Sequence, residues 1–155
     1  MGMHMRAGLG LILVLLIGLI GVPTVEAQEK AMTDSAKAEL VEAAKHAADA
    51  WLEIVDAAEY GKSWDVAASF FKAAVTKDQW EAAVVQARGP YEPMGGRQFL
   101  GAQYATELPG APKGEYVVMQ YEIRASDNTR LIETVTQMID TDGEWRLAGY
   151  FVQRP

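Results

Sequence analysis

Apolar positions recur every second residue in the C-terminal half of the chain and every third or fourth residue in the half before it. From Glu115 to Ala125, Val117, Met119, Tyr121 and Ile123 fall on one side of an extended chain and Tyr116, Val118, Gln120, Glu122 and Arg124 on the other. That period of two marks a half-buried strand. Arg130 to Asp140 alternates likewise, and the stretch from Arg97 to Gln153 predicts four strands in one antiparallel meander.

Asp142-Gly143 is a favoured pair for a two-residue type I′ turn, which would set Met138 opposite Leu147, Thr136 opposite Gly149 and Thr134 opposite Phe151. A loop of two or four residues around Ser126-Asp127-Asn128-Thr129 pairs Met119 with Thr136 and Ile123 with Ile132. Continued back through the Pro109 to Gly114 loop, the register sets Tyr104 against Met119 and Leu100 against Ile123. All four strands then share one largely apolar face, the expected core side.

Helical spacing governs the preceding residues. Thr33 or Asp34 caps a first helix to about Ala58, in which Leu40, Val41, Ala44, Ala48, Trp51, Leu52 and Val55 form the apolar stripe. Gly61 ends that helical run, and Ser63 caps a second helix with Trp64, Ala67, Ala68, Phe71 and Val75 inward. Thr76-Lys77-Asp78-Gln79 has the form of a capping box for a third helix, with Trp80, Ala83, Val84 and Ala87 inward, stopped by Arg88-Gly89-Pro90. The predicted fold is therefore α+β: three helices over about 34–88 packed on a curved four-stranded antiparallel sheet over about 97–153. That element order is similar to cystatin-like and NTF2-like cone domains.

The first 27 residues stand apart. Arg6, the apolar run Leu9 to Val22 and the small-x-small site Val25-Glu26-Ala27 have the pattern of a cleaved secretory signal peptide, leaving Gln28 to Pro155 as one domain; the rival reading, an uncleaved membrane anchor, is disfavoured because the apolar run is shorter than the roughly 20 residues a spanning helix needs. The expected location is periplasmic or secreted. With no cysteine in the 155 residues, disulfides and thiolate metal sites are excluded, and packing alone must hold the domain together. A formal charge of −7 without a Lys/Arg cluster argues against nucleic acid or an anionic membrane surface as a partner.

One resemblance is specific. Ala50-Trp51-Leu52, Tyr60 with Ser63-Trp64, Phe71-Lys72-Ala73-Ala74-Val75, Lys77-Asp78-Gln79-Trp80, Leu108-Pro109-Gly110-Ala111-Pro112, Gly114-Glu115-Tyr116-Val117-Val118-Met119-Gln120-Tyr121, Glu133-Thr134-Val135-Thr136 and Trp145-Arg146-Leu147-Ala148-Gly149-Tyr150-Phe151 together resemble the bacterial Domain of Unknown Function 4019 family. The resemblance implies a small exported bacterial domain and brings no activity, cofactor or catalytic residue with it.

Candidate chemistry is sparse. His46, the one histidine beyond the signal segment, falls on the charged face of the first helix, away from the converging ligands a zinc site needs. The defensible constellation lies on the second sheet face: Glu122 opposite Glu133, with Gly101 leaving space, Gln103, Gln120, Gln137 and Tyr150 around them, and Arg124 and Arg146 within reach. Opposed carboxylates repel and can share a proton, which suits a polar ligand or proton transfer. The same face is expected to carry Phe99, Tyr116, Val118, Val135, Ile139, Tyr150 and Val152, apolar area that a ligand, a partner protein or a second copy of the chain would cover. Two functions follow: a non-enzymatic binding or protein-interaction module using that face, without a cofactor, or a small acid–base enzyme built on Glu122 and Glu133.

Overall fold

Helix α1, Asp34–Asp56, packs across all four strands of the sheet and against the helix that follows it in the computed structural model, which describes residues 32–155. The expected signal segment lies outside the described residues. The Thr33 hydroxyl caps α1 by accepting the Ala36 N–H at 3.2 Å, and Ala44, Ala48, Trp51, Leu52 and Val55 are buried as their spacing predicts. The helix ends earlier than Gly61. Ala58 takes a left-handed φ of 57°, so that its N–H reaches the Val55 carbonyl and the Glu59 N–H reaches the Ile54 carbonyl.

The expected second helix divides in two, giving four α-helices among the described residues rather than three. Helix α2 spans Tyr60–Asp65 and α3 spans Ser69–Ala74. Between them the buried Ala67 and Ala68 leave helical geometry to meet the sheet, where the Ala68 N–H donates to the Leu147 carbonyl at 2.8 Å. The start of α3 is capped from across the fold: the Asp140 carboxylate accepts the Ser69 N–H at 2.8 Å and its hydroxyl at 2.9 Å. Helix α4, Lys77–Arg88, opens on the expected capping box, with Thr76 and Gln79 exchanging both bonds.

Strands β1 (Gln98–Ala105), β2 (Tyr116–Arg124), β3 (Arg130–Ile139) and β4 (Trp145–Gln153) form an antiparallel sheet in that order, the meander the alternation predicts. The register differs from expectation, and the cause lies in the turns. Both hairpins close through three residues. Ala125 pairs with Thr129 around Ser126, Asp127 and Asn128, with Asn128 at φ 67°. Asp140 pairs with Glu144 around Thr141, Asp142 and Gly143, with Gly143 at φ 83°. Each is the three-residue form in which a left-handed residue follows a type I turn, and an Asp-Gly pair satisfies it as readily as the two-residue form.

Because loops of three residues replace loops of two or four, β3 is displaced by one residue against β2: Met119 meets Val135 and Ile123 meets Leu131. One residue of slip exchanges the faces. Leu131, Glu133, Val135 and Gln137 are buried on the helix side, and Ile132, Thr134 and Thr136 point outward. In β4 the expected pairs Thr136–Gly149 and Thr134–Phe151 hold, but a bulge next to Ala148 sets Met138 against Arg146 and Gln137 against Leu147. Between β1 and β2 the connection sets Tyr104 opposite Val117, and a second bulge at Leu100 sets Phe99 opposite Tyr121. The apolar residues Phe99, Val135, Tyr150 and Val152, expected on the second face, therefore belong to the side that faces the helices.

An aromatic cluster fills the space between layers. Trp51, Trp80 and Tyr150 lie with ring centroids 5.2 to 6.1 Å apart, and Phe71 meets Trp80 edge-on at 5.3 Å. Such pairs add about 0.5–1.5 kcal/mol each beyond the area they bury. Ser63, expected as a cap, is instead fully buried at the centre of this cluster, its carbonyl accepting the Trp51 indole N–H at 3.0 Å and its hydroxyl that of Trp80 at 2.9 Å. Two indoles are thereby satisfied without water.

Candidate functional site

Glu133 enters the core because the register of β3 puts it there, and a carboxylate with no solvent exposure requires cations beside it. Arg88 supplies the first. It ends α4, where a cation also opposes the helix dipole, and its side chain is only 2% exposed. Its Nη1 donates to Glu133 Oε1 at 3.3 Å and to the Tyr150 hydroxyl at 2.8 Å, its Nη2 to Asp56 at 2.8 Å and its Nε to Glu92 at 3.0 Å. Arg97, just before β1, supplies the second cation, donating through Nε and Nη2 to Glu133 and through Nη1 and Nη2 to Asp56 at 2.7 and 2.8 Å. Tyr150 donates its own proton to Glu133 Oε1 at 2.6 Å. Both carboxylate oxygens are thus committed to donors within the fold.

The electrostatics follow from this packing. Burial lowers the affinity of both guanidiniums for their proton, but hydrogen bonds and nearby negative charge more than restore it, so Arg88 and Arg97 are held protonated beyond their usual range. Burial works against the charge of Asp56 as well, and the two arginines overcome it, holding its carboxyl below the ordinary range. Burial and then the neighbouring Glu133 push the Tyr150 phenol well above its ordinary value, with Arg88 opposing. The cluster meets solvent at Glu92, Asp56 and Arg97, and beside Asp56 and Arg97 it opens on a concavity.

That opening is a cleft of about 280 Å³ on one flank of α1, lined by Lys45, Asp49, Leu52, Glu53, Asp56, Arg97, Phe99 and Tyr121. Phe99 packs edge-on to Tyr121 at 5.5 Å and sits under the Lys45 ammonium at 5.6 Å, while Lys45 also pairs with Asp49 at 2.6 Å. The Tyr121 hydroxyl reaches Asp49 at 3.3 Å, and burial first, then Asp49, raises the pKa of its phenol. Two cations, three carboxylates and an aromatic wall therefore converge on one concavity.

The sequence-derived pair is not assembled. Tyr121, and not Glu122, stands opposite Glu133, so Glu122 and Glu133 project from opposite faces. Glu122 lies on the outer face, where Arg130 at 2.6 Å and Arg124 at 3.1 Å neutralise it, with Gln120 exposed beside them. Gly101 and Gln103 share that outer face. Tyr150 and Glu133 are brought together, but inside the core. Gln137 and Arg146 line a separate cleft on the other flank of α1. His46 is exposed, and among the described residues no group of three or more acidic or histidine side chains is placed to hold a metal ion.

Arg88, Arg97 and Asp56 escaped the sequence reading. Their one signal was indirect: once Glu133 faces the core, some cation must reach it, and Arg88 at the end of the preceding helix is within range. No helix among the described residues is long and apolar enough to cross a membrane.

A family model described as "Protein of unknown function (DUF4019)" matches residues 47–150 of the chain. The matched span takes in the C-terminal part of α1 from Ala47, all of α2 to α4 and the sheet through Tyr150. No curated protein and no solved structure matches the chain.

Proposed function

The chain belongs to the DUF4019 family, and from its own geometry we propose that it is an exported, periplasmic, non-enzymatic binding module whose site is the cleft lined by Lys45, Asp49, Glu53, Asp56 and Arg97. One observation carries the reading. The cleft sets charges of both signs against the apolar wall of Leu52, Phe99 and Tyr121, in a volume of about 280 Å³, near the small end of small-molecule sites. Arg97 is fixed by Asp56 and Glu133, so part of the cleft is preorganised, which reduces the ordering cost of binding. The chemistry points to a small zwitterion with an apolar portion, its cationic group toward Glu53 and Asp49, its anionic group toward Lys45.

The acid–base alternative required Glu122 and Glu133 side by side, and the observed register separates them. Glu133 is also engaged on both oxygens, which suits an anchor for Arg97 more than a proton carrier.

Native mass spectrometry on protein released gently from the periplasm tests the proposal. The expected result is a polypeptide beginning at Gln28 with a small extra mass, which is lost in a Lys45→Ala, Glu53→Gln double variant that melts like the wild type. A bare monomer that also gives no binding heat with a panel of zwitterionic amino acids would overturn the binding role, and a chain retaining residues 1–27 would overturn the cleaved export signal.

A further inference from the structure

Strand β1 differs from the other three in its exposure. Every residue from Gln98 to Ala105 is exposed or half-buried, whereas β2, β3 and β4 each carry buried residues. Ala102 pairs with Met119 and shares its helix side, yet Met119 is fully buried and Ala102 is exposed, so the helix layer stops short of this strand. Phe99 and Leu100, at 42% and 47% exposure, are two of the four large apolar side chains left exposed among the described residues. The backbone points the same way. The Ile139 N–H donates to the Glu115 carbonyl, the Ala125 N–H to the Thr129 carbonyl and the Gly95 N–H to the Arg124 carbonyl, so odd-numbered residues of β2 bond toward β3 and even-numbered ones toward β1. Their partners Gly101, Gln103 and Ala105 turn their backbone groups toward β2, and Ala102 and Tyr104 turn theirs to the open edge.

Open edges are ordinarily blunted by lysine, proline, charge or a covering segment. At the far edge of the sheet the Leu147 carbonyl is covered in this way by the Ala68 N–H. Strand β1 holds no charged residue and no proline, in a chain of formal charge −7, and its bulge at Leu100 leaves Gly101 to Ala105 regular. We propose that this edge pairs antiparallel with the same edge of a second copy of the chain, about a two-fold axis at Gln103, and joins the two four-stranded sheets into one. That register lets Ala102 and Tyr104 of each copy bond to Tyr104 and Ala102 of the other, whereas an axis at Ala102 sets Tyr104 against the bulge. A neutral strand is the surface that an acidic chain can bring against its own copy without repulsion. Gln103 meets Gln103, each amide offering the donor and the acceptor that the other needs, and the ring of Tyr104 covers the small Ala102. Both helix layers lie on the same side of the joined sheet, and the clefts walled by Phe99 open toward the seam.

Sedimentation of the purified protein over a concentration series tests this, with a reversible monomer–dimer equilibrium as the expected result. Gln103→Glu and Gln103→Lys, at an exposed position, are each expected to weaken dimerisation by at least about tenfold with an unchanged circular dichroism spectrum, because each sets like charges face to face on the axis. An equimolar mixture of the two variants is expected to restore the dimer. The chain contains no cysteine, and residues directly opposed in a non-hydrogen-bonded antiparallel pair lie within disulfide reach. Gln103→Cys is therefore expected to oxidise to a linked dimer, and Gln120→Cys, exposed on β2, to stay monomeric. The proposal is overturned by a monomer at every concentration reached, by a dimer that persists in both charged variants and so uses another surface, by a mixture that pairs no better than either variant alone, or by Gln120→Cys linking as readily as Gln103→Cys.

Discussion

The Tyr150 hydroxyl donates to Glu133 at 2.6 Å while accepting from Arg88 at 2.8 Å, so a single phenol links a buried anion to a buried cation. Tyr150→Phe keeps the ring and its contacts with Trp51 and Trp80 but strips both charges of a partner. The expected loss is about 1–3 kcal/mol in urea unfolding, with the denaturant dependence unchanged.

The two glutamates that the alternation pattern placed together are expected to behave in opposite ways. Glu133→Gln breaks a buried ionic cluster and is expected to lower stability by roughly 3 kcal/mol or more, which is on the order of 10 °C in melting temperature for a domain of this size. Glu122→Gln weakens two ion pairs to solvent-exposed arginines and is expected to cost about 1 kcal/mol or less. Thermal melts of the two variants side by side check this, and equal shifts would contradict the register.

Stability is expected to fall at both ends of the pH scale, with a named group at each. The carboxyl of Asp56 titrates below its ordinary value of 3.8, so its contribution is complete above that pH and is lost as the pH falls through the lower folded value. Tyr150 and Tyr121 titrate above their ordinary value of 10.0, so the folded state holds their protons longer and stability declines as the pH rises past 10.0. Urea midpoints measured across pH test both arms, and Asp56→Asn is expected to flatten the acid one.

Ser63 holds two tryptophans at once, one through its backbone and one through its side chain. Ser63→Ala leaves the Trp51 bond intact and orphans the Trp80 indole N–H in the core. A loss of about 1–3 kcal/mol is expected, with a change in tryptophan emission.

Ala58 occupies a left-handed conformation at the end of α1 in which a side chain is disfavoured. Ala58→Gly is expected to raise stability by about 0.5–1 kcal/mol, since relief of strain outweighs the greater freedom of glycine in the unfolded chain. A lower unfolding midpoint for this variant would contradict the assigned geometry.

The helices were legible because their determinants are local. Thr33, the capping box at Thr76 and Gln79, and the stripe from Ala44 to Val55 each act within a few residues of themselves. The division of the second helix was not, because it depends on Ala68 and Ser69 meeting Leu147 and Asp140 some seventy residues away. The strands and their order were legible from alternation, whereas the face of β3 hinged on whether Ser126 to Thr129 turns in two residues, three or four. Asn and Gly tolerate a positive φ in all of these turns, so composition does not choose between them. The ionic cluster shared that fate. Glu133 reads as a surface residue until the turn is known, and only then do Arg88 and Arg97 acquire a reason to lie where they do.

The three-residue loops also make the sheet sensitive to insertion and deletion in a way that its amino-acid types do not reveal. Removing Asn128 alone would keep every strand residue in the chain and every alternation intact, yet it would deliver Ile132 and Thr134 to the aromatic cluster and carry Glu133 and Gln137 out into water, leaving Arg88 and Arg97 without their buried anion. Removing or adding two residues would preserve the faces. The length of these two turns, counted as odd or even, is therefore inherited information of the same rank as the identity of the charged residues.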